Sequence, residues 1–184
     1  ILPDLDLLAN CPSLIQLKLP KNFENTISLS NCTGLKELDL SSTSIKNVDG
    51  IGNLKNLEIL KLNDCCKLEN IDGLLNCTQL RSITLRSSSV QNIDGLIGAT
   101  NLSFIDLAHC RSLQNVDGLS HLSELESITM LDFTECRALN NLDGIHGFIG
   151  LTSISLYECR SLKNLNGLSQ CVGLQKLIAT GCSS

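Results

Sequence analysis

The hydrophobic positions of this chain repeat every 22–23 residues along almost its whole length. Leucine or isoleucine recurs as L-x-x-L-x-L. The sets are Leu35, Leu38 and Leu40; Leu57, Leu60 and Leu62; Leu80, Ile83 and Leu85; Leu102, Ile105 and Leu107; Ile128, Leu131 and Phe133; and Leu151, Ile154 and Leu156. Leu14, Leu17 and Leu19 precede them and Leu174, Leu177 and Ala179 follow, which makes eight starts. Six starts are trailed by a second block: N-V-D-G at 47–50 and 115–118, N-I-D-G at 70–73 and 92–95, N-L-D-G at 141–144 and N-L-N-G at 164–167. Two sub-patterns locked to one period predict a solenoid of stacked turns.

Within a turn, the alternation from the third to the seventh position predicts a short strand. Positions four and six point into the stack, and positions three, five and seven point out of it onto the concave face. Strands of successive turns then pair in parallel. The ninth position ends the strand and is followed by an apolar wedge and the Asn of the second block. Asp49, Asp72, Asp94, Asp117 and Asp143 are expected to cap a short helical or 3-10 segment. The glycine after each serves either a tight backbone approach or a positive φ.

These residues resemble the leucine-rich repeat, L-x-x-L-x-L-x-x-N/C-x-L. The short period and the I-D-G-L step are similar to repeats of protein phosphatase-1 regulatory subunits and of bacterial internalins. Cysteine at position nine is similar to the cysteine-containing repeats of F-box adaptors and plant immune receptors. The resemblance implies an α/β leucine-rich repeat solenoid of about eight repeats: a right-handed superhelix with a parallel sheet on its concave face and short 3-10 or α segments on its convex face. It also implies a protein-binding scaffold.

Two stretches depart from the period. From Leu102 to Ile128 the spacing grows to 26, and Leu119, Leu122, Leu125 and Ile128 recur every third residue, which predicts a longer convex helix. A register starting at Ile128, not at Leu125, keeps Cys136 and the 141–144 block in phase. The first repeat lacks the second block and has Pro3, Pro12 and Pro20 near it. Residues 1–34 are therefore expected to form a degenerate repeat or N-terminal cap, with 35–184 as one continuous solenoid domain. The chain starts at Ile1 and stops half a turn into the last repeat, as expected of a piece of a longer protein with flanking domains or further repeats.

Composition narrows the function. Aromatic residues make up only 3% of the chain and Trp is absent, as narrow turns filled by aliphatic wedges require. A net charge of −5 supplies no basic field for nucleic acid. No apolar run approaches the roughly 20 residues of a membrane helix, so membrane insertion is not expected. Five of the ten cysteines, Cys65, Cys110, Cys136, Cys159 and Cys182, stand at position nine, where other repeats carry Asn22, Thr43 and Ser88. This interchange of small polar residues predicts a structural ladder that satisfies backbone groups where the chain turns. Cys11, Cys32, Cys77 and Cys171 lie three residues before a repeat start, in a predicted apolar slot on the convex side. Both placements predict reduced thiols and an intracellular, cytoplasmic location, with an extracellular disulfide framework as the alternative. Neither a metal nor a cofactor is expected, because the cysteines follow the repeat period and not a ligand spacing.

Function then falls to the positions that the repeat leaves free. On the concave face Phe104 and Met130 are neighbours at position three, Asp106 and Asp132 flank them at position five, and Tyr157 stands one turn further on. Ile59 and Arg86 extend the face. An apolar patch beside acids suits a protein or peptide partner that brings an apolar anchor and a Lys or Arg. Along the strand ends, Arg111, Arg137 and Arg160 follow the ladder cysteine while Glu135 and Glu158 precede it. That edge reads either as mutually paired charges or as an anion-binding row. His109, His121 and His146 occupy different repeat phases and converge with no nucleophile, so no enzyme is expected. The resulting expectation is an interaction scaffold, with a surface adhesin or receptor ectodomain and a structural spacer as the alternatives.

Overall fold

The computed structural model describes residues 11, 13–122 and 126–182. Pro3, Pro12, the first ten residues of the expected cap and the alternative start at Leu125 lie outside these. Each turn opens with a three-residue strand. The strands are β1 (Gln16–Lys18), β2 (Glu37–Asp39), β3 (Ile59–Lys61), β4 (Ser82–Thr84), β5 (Phe104–Asp106), β6 (Met130–Asp132), β7 (Ser153–Ser155) and β8 (Lys176–Ile178). They pair in parallel and in register, so that Leu38 meets Leu60 and Ile83 meets Ile105. Met130 pairs with Ser153, a third-position residue, which fixes Ile128 as the start of its turn.

The inward positions form one continuous core. Leu38, Leu60, Ile83 and Ile154 are wholly buried, as are the wedges Ile45, Leu68, Val90, Leu113 and Leu139. The convex side is built of 3-10 segments at Thr26–Leu29, Asp49–Ile51, Asp72–Leu74, Asp94–Leu96, Asp117–Leu122, Asp143–Ile145 and Asn166–Leu168. The one predicted to be longer spans six residues, against three or four elsewhere.

The expected caps need correction. The aspartates make no side-chain cap, because each already lies inside the first turn of its 3-10 segment. The Asn two residues earlier does this work instead. Asn92, Asn115 and Asn141 Oδ1 accept from the N–H of Asp94, Asp117 and Asp143 at 3.2, 3.2 and 3.0 Å. The glycines serve close approach: a Cβ on Gly95 would fall on the backbone carbonyl of Ile71 in the preceding turn.

Position eight is left-handed at Gly181, with φ 82°, and in six earlier turns, at Ser42, Asp64, Ser87, His109, Glu135 and Glu158, with φ between 58° and 62°. Each of these six N–H groups donates to the position-seven carbonyl of the next turn, as from Asp64 to Arg86 at 2.8 Å. This inter-turn bond holds the backbone where a side chain is disfavoured.

The sheet is not continuous. It divides into β1–β5 and β6–β8 at the 26-residue spacing. The long convex segment delivers the chain to β6 out of step. Asn56 and Asn101 side chains reach back to the carbonyls of Thr33 and Thr78, two residues before a repeat start. The equivalent Ser127 instead reaches Leu102, a repeat start itself, at 3.2 Å.

Candidate functional site

The division of the sheet opens a cleft of about 210 Å³ on the concave face, lined by Arg86, Ser103, Phe104, Ile105, Asp106, Thr129, Met130 and Asp132. Five of the seven residues expected on the binding face come together here. Phe104 and Met130 form its apolar walls, 49% and 61% exposed because successive third positions carry no partner above them. The remaining two lie elsewhere. Ile59 sits in β3 between Glu37 and Ser82. Tyr157, 42% exposed, stands near the strand ends, where its carbonyl accepts from Glu135 N–H at 2.7 Å.

Arg86 ties the acidic side of the cleft together. Its Nε donates to Asp106 Oδ2 at 3.0 Å, and its Nη2 lies 4.0 Å from Asp132 Oδ2. The other oxygen of each aspartate accepts a backbone N–H two residues on, from Ala108 at 3.1 Å and from Thr134 at 2.9 Å. Further along the face the charges cancel in pairs: Lys18 with Asp39 at 2.8 Å and Lys61 with Glu37 at 2.5 Å.

Sequence reasoning did not find Ser103, Ile105 and Thr129. They are ordinary strand and pre-strand residues that line the cleft beside the missing pairing. The signal that could have found them was the 26-residue spacing, which displaces a strand as well as lengthening a helix.

At the strand-end edge, Arg111 and Arg137 both donate to Glu135 Oε2, at 2.7 and 2.9 Å, and Arg160 Nη2 pairs with Glu158 at 2.5 Å. The Arg111 guanidinium holds the Glu135 carboxyl below its ordinary range. All three candidate arginines are therefore engaged with glutamates of their own edge. His109 Nδ1 lies 3.7 Å from Glu135 Oε1 in the same cluster.

The thiols form a ladder. Cys65, Cys110, Cys136, Cys159 and Cys182 donate to the sixth-position carbonyl of the preceding turn, at 3.2, 3.0, 3.1, 3.1 and 3.2 Å. Thr43 bonds within its own turn, to Leu40 O at 2.6 Å, and also meets Cys65 Sγ at 3.7 Å. Ser88 meets Cys110 Sγ at 3.6 Å. Burial pushes the Cys110 thiol up to about 11 and that of Cys159 up to about 12. All ten cysteines are free. Of the four expected in the convex slot, Cys32, Cys77 and Cys171 are buried. Cys11 is exposed, because it stands in the first turn, with no earlier described turn to cover it.

Among the described residues no group of His, Cys, Asp and Glu is arranged to hold a metal ion. No described helix is long and apolar enough to cross a membrane.

The family model for leucine-rich repeats in two copies matches residues 33–76. No curated protein matches the chain in sequence. Among solved structures, internalin C2 from Listeria monocytogenes superposes with a TM-score of 0.70 at 22% identity, over 92% of this chain and 73% of its own. The leucine-rich repeat domain of the type III effector XopL gives 0.59 at 17% identity, over 94% of this chain and 71% of that one. The plant peptide hormone receptor RGFR1, solved in complex with RGF2, gives 0.50 at 18% identity, over 92% of this chain and 36% of the receptor. At these identities the likeness is one of fold.

Proposed function

We propose that this leucine-rich repeat solenoid is a non-enzymatic scaffold that binds a protein or peptide on its concave face, centred on β5 and β6. The observation that carries this reading is the meeting of Phe104, Met130, Asp106, Asp132 and Arg86 around one cleft. Two large apolar side chains stand exposed there beside two carboxylates. That is the composition of an interface anchor site: apolar area to bury and charges to set orientation. The solved complex of RGFR1 with RGF2 is a precedent for a peptide ligand on this fold. The ten free thiols support an intracellular setting over a secreted one.

Affinity capture from the source organism, read by mass spectrometry, tests the proposal. The wild type and a convex variant, Ile97→Ser, should retain the same proteins; Ile97 is exposed on the opposite side. The pair Phe104→Ser and Met130→Ser should lose them. Identical capture by all three proteins would refute a concave site.

A further inference from the structure

We infer that the opening between β5 and β6 is a subsite for one cationic side chain of the partner, arginine in preference to lysine. This rests on the concave-face reading and names the residue chemistry that enters.

Three turns carry aspartate at position five, and each uses it alike. Oδ1 of Asp39, Asp106 and Asp132 accepts the N–H two residues on, at 2.9, 3.1 and 2.9 Å. Oδ2 is left for a cation from the preceding turn. Asp39 receives Lys18 at 2.8 Å and Asp106 receives Arg86 at 3.0 Å. The turn before Asp132 offers Asp106 at position five and Ala108 at position seven, neither of them a cation. The nearest cation, Arg86, comes from two turns back and stops at 4.0 Å, outside hydrogen-bond reach. Among the described residues Asp132 therefore lacks the hydrogen-bonded cation that its two equivalents possess, and shares Arg86 with Asp106 only at 4.0 Å. With Arg86 counted, the cleft carries one uncompensated negative charge, which a single Arg or Lys neutralises.

The broken sheet supplies the rest. At regular junctions the carbonyl of the second-position residue accepts two N–H groups of the next turn, as Arg81 O accepts from Ser103 and Phe104 at 2.9 and 3.0 Å. Ser103, the equivalent residue at the break, receives no such bond from Thr129 or Met130 among the described residues. Ser103 lines the cleft, and its carbonyl, spared that bond, is the second acceptor we assign to the subsite. A guanidinium, with five donors in a planar fork, can use a carboxylate and a carbonyl together, whereas an ammonium is a point charge. Phe104 and Met130 provide apolar walls for the methylene stem, and the Phe104 ring provides a face for the cation. A volume of about 210 Å³ suits one side chain. The strand ends remain joined by His109 N–H to Thr134 O at 2.6 Å, so the opening admits a side chain and not a whole strand.

Met130 is the only methionine of the chain, so protein labelled at the methionine methyl carbon gives one NMR signal from the cleft wall. It is titrated with N-acetyl-arginine methylamide, its lysine and glutamate counterparts, and the uncharged isostere N-acetyl-citrulline methylamide. A saturable shift with arginine is expected, binding at least threefold tighter than lysine, and no saturation with citrulline or glutamate. Asp132→Asn, which keeps the Oδ1 acceptor for Thr134, should weaken arginine at least tenfold, while Asp72→Asn on the convex side leaves it unchanged. Equal responses to arginine and citrulline, or an Asp132→Asn protein that binds arginine as well as the wild type, would overturn the inference. The capture experiment above fails separately: partners lost with the Phe104 and Met130 substitutions but no response to arginine would leave the concave site standing and remove its cationic subsite.

Discussion

Replacing Gly95 by alanine tests how the turns stack. On Gly95 a Cβ would stand 2.6 Å from the carbonyl carbon of Ile71 and 3.1 Å from the Cα of Asp72, and closer still to the Ile71 oxygen. All three atoms are backbone, so no side chain can swing aside. Ordinary contact begins near 3.4 Å, so the two turns must part by about 1 Å or more, which forfeits much of the dispersion contact between them. Overpacking of this kind costs about 1–3 kcal/mol and more where backbone must move, so a loss of about 2–4 kcal/mol is expected. The opposing effect has a known size. Were space available, alanine would stabilise by about 0.4–1 kcal/mol through the unfolded chain, so the two cases differ in sign. Urea unfolding followed by circular dichroism measures the difference, and in a solenoid the loss should appear as a weakened interface between neighbouring turns. A Gly95→Ala protein as stable as the wild type, or more so, would refute the assignment of this glycine to close approach.

Three further outcomes follow from the buried core and its thiols. Leu107→Ala should cost about 2–5 kcal/mol, since Leu107 is buried. Asp106→Ala, one residue away on the open face, should cost about 1 kcal/mol or less; equal costs in urea unfolding would reverse the inside and outside of the strand. Iodoacetamide should modify Cys11 and Cys66 quickly in the native protein, read by mass spectrometry, because these two alone are exposed. The buried ladder thiols should react only on unfolding. Because folding raises the Cys110 thiol from 9.0 to about 11 and the Cys159 thiol to about 12, their contribution is complete below pH 9 and is lost as pH climbs toward 11–12. The melting temperature should fall across that window in the wild type and fall less in Cys110→Ser; a flat profile would contradict the burial of the thiols.

The turn was legible in the sequence wherever one residue type answers one physical demand. An inward position takes an apolar residue, so Leu38, Leu60 and Ile83 announced the core. Glycine at Gly95 and Gly144 left close approach and positive φ both open, and the carbonyls of Ile71 and Val116 against them decide for close approach. Legibility failed where the demand falls on the backbone and several side chains meet it. Position eight is left-handed through its bond to the next turn, yet it carries Ser42, Asp64, His109 and Glu158, and only Gly181 displays the expected residue. The cap was misassigned for a related reason: Asn92 and Asp94 both carry an acceptor oxygen, and which of them reaches the N–H depends on where the 3-10 segment begins. The concave residues were legible as a face but not as a cleft, because the missing pairing between β5 and β6 is a relation between turns.

The break is tolerable because other rails between turns cross it intact. The thiol ladder continues from Cys136 to Leu107 O at 3.1 Å, on through Cys159 to Phe133 O. Past the wedge, backbone bonds run from Gln114 to Gln91 O at 2.8 Å and from Asn140 to Gln114 O at 3.0 Å without interruption. On the convex side Gly144 seats against the Val116 carbonyl as Gly95 does against that of Ile71. Turns five and six are thus joined at the strand end, beyond the wedge and at the glycine seat, and parted only along the strands. Stability in a solenoid is a sum of such interfaces, so one interrupted rail leaves the stack whole. Ser103, whose carbonyl is released from that rail, lines the concave opening beside Phe104, Met130 and Asp132. On the proposed reading, a partner side chain that filled the opening would restore contacts the fold has forgone and would meet an acceptor held in place by three intact rails, so little ordering would remain to oppose its binding.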